Sequence, residues 1–321
     1  MKKKLLLITA LICIGLITFG IISSFKKTNL LEKQDISKDI DDNQHQKNFN
    51  RDFKSYSIIA ADSINFAGEY APLYAPEIWE RYDKEIHKNV YWQSNTIFYF
   101  KRANKFFPII EPILAKNNIP NDFKYLAVIE SGLENVVSPA GAAGFWQFMR
   151  GTAKDYGMEV NSEIDERYHL EKSTQAACEY LQKAYNKFGN WTLAAASYNM
   201  GMYGLERRLN QQITNNYYDL YLNTETSRYI FRLLAVKEIF ENKEKYGFNL
   251  RKKDLYMHPN TKEVKISSSN INLFEYADKL GINYKILKEL NPWIRDNKIT
   301  NKEQNTFILQ IPDSEINIFK N

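Results

Sequence analysis

Residues 121–147 read NDFKYLAVIESGLENVVSPAGAAGFWQ, and the two halves of this stretch have opposite character. The first half opens on Asn121, a helix-capping residue type, runs through the apolar YLAVI and stops at Gly132. The second half is a run of small residues that ends in Phe-Trp-Gln. The chain has only 13 glycines, yet Gly132, Gly141, Gly144 and Gly151 crowd this neighbourhood. The backbone here requires close approach, positive φ, or both.

The segments around it read as helices. SNTIFYFKRANKFFPIIEPILAKNN (94–118) has a cap candidate at Ser94 and apolar residues at helical spacing, ending before Pro120. KSTQAACEYLQKAYNKFG stops at Gly189, NWTLAAASYNMG stops at Gly201, and a last long helix runs through TSRYIFRLLAVKEIFENK. No alternating strand run interrupts them, although a small hairpin fits near Ser138. Residues 94–245 therefore form a helical domain. Residues 62–93 read as an aromatic-rich ordered extension, with Pro72 and Pro76 breaking its early part. At the other end, EVKISSS and NTFILQIP read as strands enclosing the helices NLFEYADKL and NYKILKEL, which stop at Gly281 and at Asn291-Pro292. Residues 260–321 are thus a small, independent βααβ module, and the fold class is mainly α with a small α+β module.

The chain is 44% apolar, which is ordinary for a globular protein and argues against disorder throughout. Its net charge of +5 lies at one end. Of 43 basic residues, Lys2, Lys3, Lys4, Lys26 and Lys27 precede any acid, and the remainder equals the 38 acidic residues. A nucleic-acid partner loses its electrostatic footprint. Residues 1–27, with a basic head and an apolar run from Leu5 to Ile22, read as a signal peptide or a signal anchor. No clear small-x-small cleavage site follows and lysines flank both ends, so the anchored and released forms both stay open. Residues 28–61 read as a polar linker. Cys13 lies too early for a lipoprotein site, and Cys178 alone cannot form an internal disulfide, so packing must stabilise the fold.

Glu130 follows YLAVI at a helix end, a placement that holds a carboxyl partly out of water and raises its pKa towards that of an acid useful near neutrality. A lone Glu-Ser-Gly is more often a surface helix end. The downstream loop and FWQF shift the balance, because aromatic faces plus an amide suit a sugar groove, although an aromatic pair is more often core. Asp165, Glu134 and Glu225 are the other carboxylates at hand, and surface charge or helix capping is the plainer reading of each. His45, His87, His169 and His258 are scattered, with no pairing that suggests a metal site, and no cofactor motif appears.

Taken in order, Glu130-Ser131, Gly144-Phe145-Trp146-Gln147, Ser197-Tyr198-Asn199 and Glu225-Thr226 with Tyr229 resemble the motifs of the lytic transglycosylases of the lysozyme-like superfamily. The likeness is greatest to the membrane-bound murein transglycosylase D type, where Trp also precedes the Gln, and it covers residues 62–245. It departs mildly, with Phe145 for Leu and Ser197 for Ala. The resemblance implies a lysozyme-like helical domain in which Glu130 is the single catalytic acid and later the base. It implies substrate-binding places for Ser131, Phe145, Trp146, Gln147, Tyr198, Asn199, Glu225 and Tyr229, with no metal and no cofactor. The implied reaction cleaves the β-1,4 bond between N-acetylmuramic acid and N-acetylglucosamine in peptidoglycan strands and leaves a 1,6-anhydromuramoyl end. A goose-type hydrolytic lysozyme and a silent peptidoglycan-binding scaffold are the rivals. The implied place is the periplasmic side of the cell envelope, with a membrane contact through the N-terminal segment if it is retained.

LFEYADKLGINYKILKELNPW resembles the central helices of a divergent LysM domain, a fold that binds N-acetylglucosamine polymers. The usual Gly-Asp turn after the first strand is replaced by SSSNIN, so the resemblance implies the fold more strongly than glycan binding.

Overall fold

The computed structural model describes residues 41–52 and 56–313, so the apolar segment of residues 1–27 lies outside the described residues. Among the described residues no helix is long and apolar enough to cross a membrane. The chain divides into a unit up to Tyr56 and a second from Ser57 onward. In the first, the stretch read as a linker carries a polar helix, α1 (Asp42–Asp52).

The second unit opens on a two-residue ladder, β1 (Asn65–Phe66) with β2 (Glu69–Tyr70). Helices α2 (Pro76–Tyr91) and α3 (Gln93–Lys116) follow. Pro76 sits at the start of α2, where its missing N–H costs nothing, so it begins a helix instead of breaking one. A single 3-10 turn over Asn121–Phe123 then leads into α4 (Lys124–Ser131). Next come α5 (Arg150–Asp155), α6 (Leu170–Phe188), α7 (Trp191–Met200), α8 (Met202–Gln212) and α9 (Thr224–Glu241). Helix α8 adds to the helices expected from sequence.

Burial explains which helices are central. Residues Tyr125–Ile129 of α4 and Thr192–Ser197 of α7 are buried without a break, as is most of α9 from Tyr229 to Ile239. A helix apolar on every side has no solvent face to present and is surrounded by others. Helix α9 packs on α2, α4 and α7, and α6 packs on α3 and α7. Their shared core includes Tyr82, Ile86, Ile110, Leu114, Leu126, Leu181, Phe231 and Leu234.

Caps fix the helix ends. Asn190 accepts from the Leu193 amide at 2.7 Å, and the Glu69 carboxylate accepts from the amides of Trp191 and Thr192 at 2.6 and 2.8 Å. An anion at that N-terminus opposes the helix dipole and satisfies donors with no partner inside the helix. The N-terminal extension is also clamped to α9. Arg228 forks onto the buried Glu85 carboxylate at 2.7 and 3.1 Å, and Lys237 reaches Asp122 at 2.7 Å and the Asn65 carbonyl at 2.9 Å. Burial pushes the Glu85 pKa upward, but Arg228 and Lys88 outweigh it and hold the carboxyl below its usual range.

The C-terminal module contains β3 (Thr261–Ile266), β4 (Asn270–Asn272), α10 (Leu273–Lys279), α11 (Tyr284–Leu290), β5 (Lys298–Thr300) and β6 (Phe307–Pro312). Strands β3 and β6 pair antiparallel from Thr261–Pro312 to Ile266–Phe307, which are the two strands expected. A second antiparallel ladder, β4 with β5, adds to them and is too short for a sequence period to reveal. The fully buried Asn291 donates to the carbonyls of Leu287 and Gln310, tying the end of α11 to β6.

The module is not independent of the helical domain. Its core of Ile271, Leu273, Leu287, Trp293, Ile294 and Leu309 is continuous with Ala143, Ile164 and Tyr168. A small βααβ unit has a high surface-to-volume ratio, and this one closes its core on the neighbouring loop.

Candidate active site

The three central helices converge on Glu130. Helix α4 ends one residue beyond it, with Gly132 in the left-handed conformation at φ +65°. Arg102 caps that end, donating to the Gly132 carbonyl at 2.9 Å and pairing with Glu134 at 2.8 Å. From α9, the Tyr229 hydroxyl donates to Glu130 Oε1, and Arg232 donates to the Ile129 carbonyl at 2.7 Å.

The Glu130 carboxyl is raised to about 7, first by burial. The Tyr229 hydrogen bond and the Arg232 charge lower it, while Glu225 raises it. The negative end of the α4 dipole adds to the same upward push. A carboxylic acid poised there carries a transferable proton near neutrality. Tyr229 and Tyr198 are themselves pushed well above the ordinary phenol range, first by burial and then by the Glu130 charge, so both remain hydroxyl donors.

From α7, the Tyr198 hydroxyl donates to the Trp146 carbonyl at 2.8 Å. Asn199 spans two helices, donating to Glu225 at 3.1 Å and accepting from the Thr226 hydroxyl at 2.8 Å. The Ser131 hydroxyl lies 2.8 Å from the Phe145 carbonyl, with the Ala127 carbonyl at 3.1 Å. The sequence motifs thus meet through backbone carbonyls of the small-residue loop. That loop makes the tight turn anticipated near Ser138: Val137 and Phe148 both bridge to Ala143, and the Ser138 amide donates to the Ala142 carbonyl at 2.8 Å.

Two expectations need correction. Trp146 is 0% exposed, and its indole N–H donates to the Thr174 hydroxyl on α6 at 2.8 Å. Phe145 is buried too, its ring edge-on to Phe106 on α3 at 4.7 Å. Neither ring can lie against a sugar, because helices α3 and α6 already cover them. Both residues contribute their backbone carbonyls to the site and their side chains to the core. Gln147, at φ +49°, spends its amide N–H groups on the carbonyls of Val136 and Gly144 at 3.0 and 2.8 Å. It pins the loop.

The other carboxylates are engaged elsewhere. Asp165 is buried in a forked pair with Arg167, at 2.9 and 2.7 Å, and Glu134 pairs with Arg102. Its hydrogen bonds to the Asp165 carboxylate raise the Arg167 pKa further. Arg167 also donates to the carbonyls of Gly141 and Phe148, at 2.9 and 3.1 Å. Sequence reasoning missed Arg102, Arg167 and Arg232, since no motif marks an arginine that caps a helix end or grips a loop. Among the described residues no three of His, Cys, Asp and Glu converge as a metal-holding group.

Residues 107–220 match the family described as Transglycosylase SLT domain. Residues 262–315 match the Soluble lytic transglycosylase C-terminal LysM-like domain. The first match lies within the helical domain and the second covers the C-terminal module. It is 28% identical over 244 residues to membrane-bound lytic murein transglycosylase D of Escherichia coli strain K12, covering 72% of this chain and 51% of that protein. The chain spans about half the length of that curated relative. A putative tributyltin chloride resistance protein of an Alteromonas species is 27% identical over 136 residues, which is 42% of this chain and 63% of that one. The 70 kDa soluble lytic transglycosylase of Escherichia coli superposes with a TM-score of 0.36 at 22% identity, covering 48% of this chain and 27% of its own.

Proposed function

We propose that this protein is a peptidoglycan lytic transglycosylase with Glu130 as its single catalytic acid. The observation that carries the reading is the Glu130 carboxyl itself, raised to about 7 by burial and held by Tyr229 between three central helices. A hydrolase using two carboxylates needs a second one facing the scissile bond. Here Asp165 is taken up by Arg167 and Glu134 by Arg102, while Glu225, exposed at the start of α9, only accepts a hydrogen bond from Asn199. Substrate-assisted cleavage needs only one acid. Glu130 gives its proton to the glycosidic oxygen as the C–O bond breaks. The N-acetyl oxygen of the muramoyl residue closes on the anomeric carbon. The muramoyl 6-hydroxyl then displaces that oxygen and returns its proton to Glu130. No water is consumed, and the product ends in a 1,6-anhydro ring.

In this reading Tyr229 and Arg232 hold the acid, Asn199 and Glu225 line the cleft beside it, and Ser131, Gln147 and Tyr198 fix the loop that forms its wall. The substrate is the β-1,4 bond between N-acetylmuramic acid and N-acetylglucosamine. The cell envelope is the place of action, which the basic, apolar residues 1–27 and the membrane-bound name of the Escherichia coli relative support.

Mass spectrometry of a digest of purified sacculi tests the chemistry. Anhydromuramoyl ends, each one water lighter than a reducing end, are expected. Glu130→Gln should lower their yield by ~10²–10⁴-fold while the protein stays folded. Reducing ends would instead establish a goose-type hydrolase, and binding without cleavage a scaffold.

A further inference from the structure

The segment from Val160 to His169, between α5 and α6, touches the C-terminal module on one side and the site loop on the other. Towards the module, Ile164 and Ile294 form an antiparallel bridge. The Asp165 amide donates to the Trp293 carbonyl at 2.8 Å, and the Arg295 amide donates to the Glu163 carbonyl at 2.7 Å. The Glu163 carboxylate accepts from the Thr300 amide and hydroxyl at 2.6 and 2.9 Å. The Trp293 ring stacks on His169 at 5.7 Å, and the Arg295 guanidinium lies 4.1 Å from the centre of the Tyr168 ring. Towards the site, the Asp165 carboxylate holds Arg167, and Arg167 holds the carbonyls of Gly141 and Phe148. Those two carbonyls bracket Gly144–Gln147, whose own carbonyls take the hydroxyls of Ser131 and Tyr198.

We propose that the LysM-like module is a fixed wall of the catalytic unit, acting through Asp165 and Arg167 to hold the Gly144–Gln147 loop beside Glu130. The proposal deepens the transglycosylase reading and rests on it. Asp165 is the joint, because its backbone belongs to the bridge with the module and its side chain belongs to the fork on Arg167. Opening the junction would expose Ala143, Ile164 and Tyr168 and let water reach a buried ion pair whose strength depends on its dry surroundings. Arg167, Trp293 and Ile294 are positioning residues, since they act through the loop. A module serving only as a tether to the wall would leave cleavage of short fragments untouched, and this separates the two roles.

The test uses the full-length protein carrying either Glu163→Ala with Arg295→Ala, or Ile294→Asp, which places a carboxylate in the apolar joint. Hydrogen exchange over peptides spanning 163–167 identifies the variant whose junction has opened, including one whose module has unfolded while the helical domain persists. In that variant, exchange should also rise over 141–148, where the amides of Ala143 and Gly144 donate to Phe148 and Val136. The kcat on short, soluble glycan fragments should fall about tenfold or more with KM little changed, as expected when a site loses its positioning support. An opened junction with wild-type exchange over 141–148 and wild-type kcat overturns the proposal. Absence of cleavage by the wild type itself fails the transglycosylase reading instead, and exchange over 141–148 still decides whether the module holds the loop.

Discussion

The carbonyl group of Arg167 fills the space that a Cβ on Gly144 would need, its carbon lying 2.7 Å from that point. Gly141, three residues earlier in the loop, has nearly the same φ, +84° against +82°, yet meets nothing within 4 Å. The pair separates two reasons for glycine. Gly141→Ala should lose about 1 kcal/mol from backbone strain alone. Gly144→Ala adds a clash with rigid backbone and should lose about 3 kcal/mol or more, together with most of the activity. Denaturant unfolding of both variants measures the difference, and equal losses would mean that the close approach of Arg167 carries no weight.

Tyr229→Phe removes a hydrogen bond that favours the charged form of Glu130. The carboxyl should then titrate above its wild-type value of about 7. Since the acid must be protonated to act, activity that falls through about pH 7 in the wild type should persist to higher pH in the variant. Looser positioning should also lower the plateau rate by about tenfold. A pH–rate profile checks both, and an alkaline limb that moves downward would contradict the assigned hydrogen bond.

The same raised pKa has a sign in stability. Between the ordinary carboxyl value of 4.5 and about 7, the folded protein keeps a proton on Glu130 that the unfolded chain releases. This stabilisation is complete below 4.5 and is lost as pH rises through that window. Glu130→Gln carries no such titration, so at pH 8 it should be more stable than the wild type by about 3 kcal/mol. The gain should vanish near pH 4. A pH-independent difference in unfolding free energy would place the Glu130 carboxyl in ordinary solvent.

Trp146→Ala removes a fully buried indole and its hydrogen bond to Thr174. A loss of about 3–5 kcal/mol is expected for such a truncation. Trp146→Phe should recover much of it and leave the Thr174 hydroxyl without its indole donor. Substrate affinity per folded molecule should change little in the Phe variant. A large rise in KM with unchanged stability would put the ring back in the groove.

The ordered motifs, the helix boundaries set by Gly132, Gly189 and Gly201, and the paired outer strands of the C-terminal module are all local in the chain, and all are legible in the sequence. An apolar run ending at a glycine needs no distant residue to be recognised, and neither does Glu130 at its end. The roles of Phe145 and Trp146 are another matter. A Phe-Trp pair after a small-residue loop reads equally well as a sugar platform or as core. Phe106 and Thr174, about 30 to 40 residues away on two different helices, make it core.

What the sequence determined by itself is the class of the fold, the place of Glu130 at a helix end and the order of the motifs, because each depends on periodicity and residue type along a short stretch. Only the tertiary structure decided that Tyr229 and Arg232 tune Glu130, and that Arg167 grips the site loop. It also decided that the C-terminal module closes its core on Ala143, Ile164 and Tyr168 and does not stand apart. The physical reason is that pKa and packing are set by what surrounds a group in space. Tyr229 lies 99 residues from Glu130, and Ile294 lies more than a hundred from Ile164. Nothing in the spacing of the chain says that they meet.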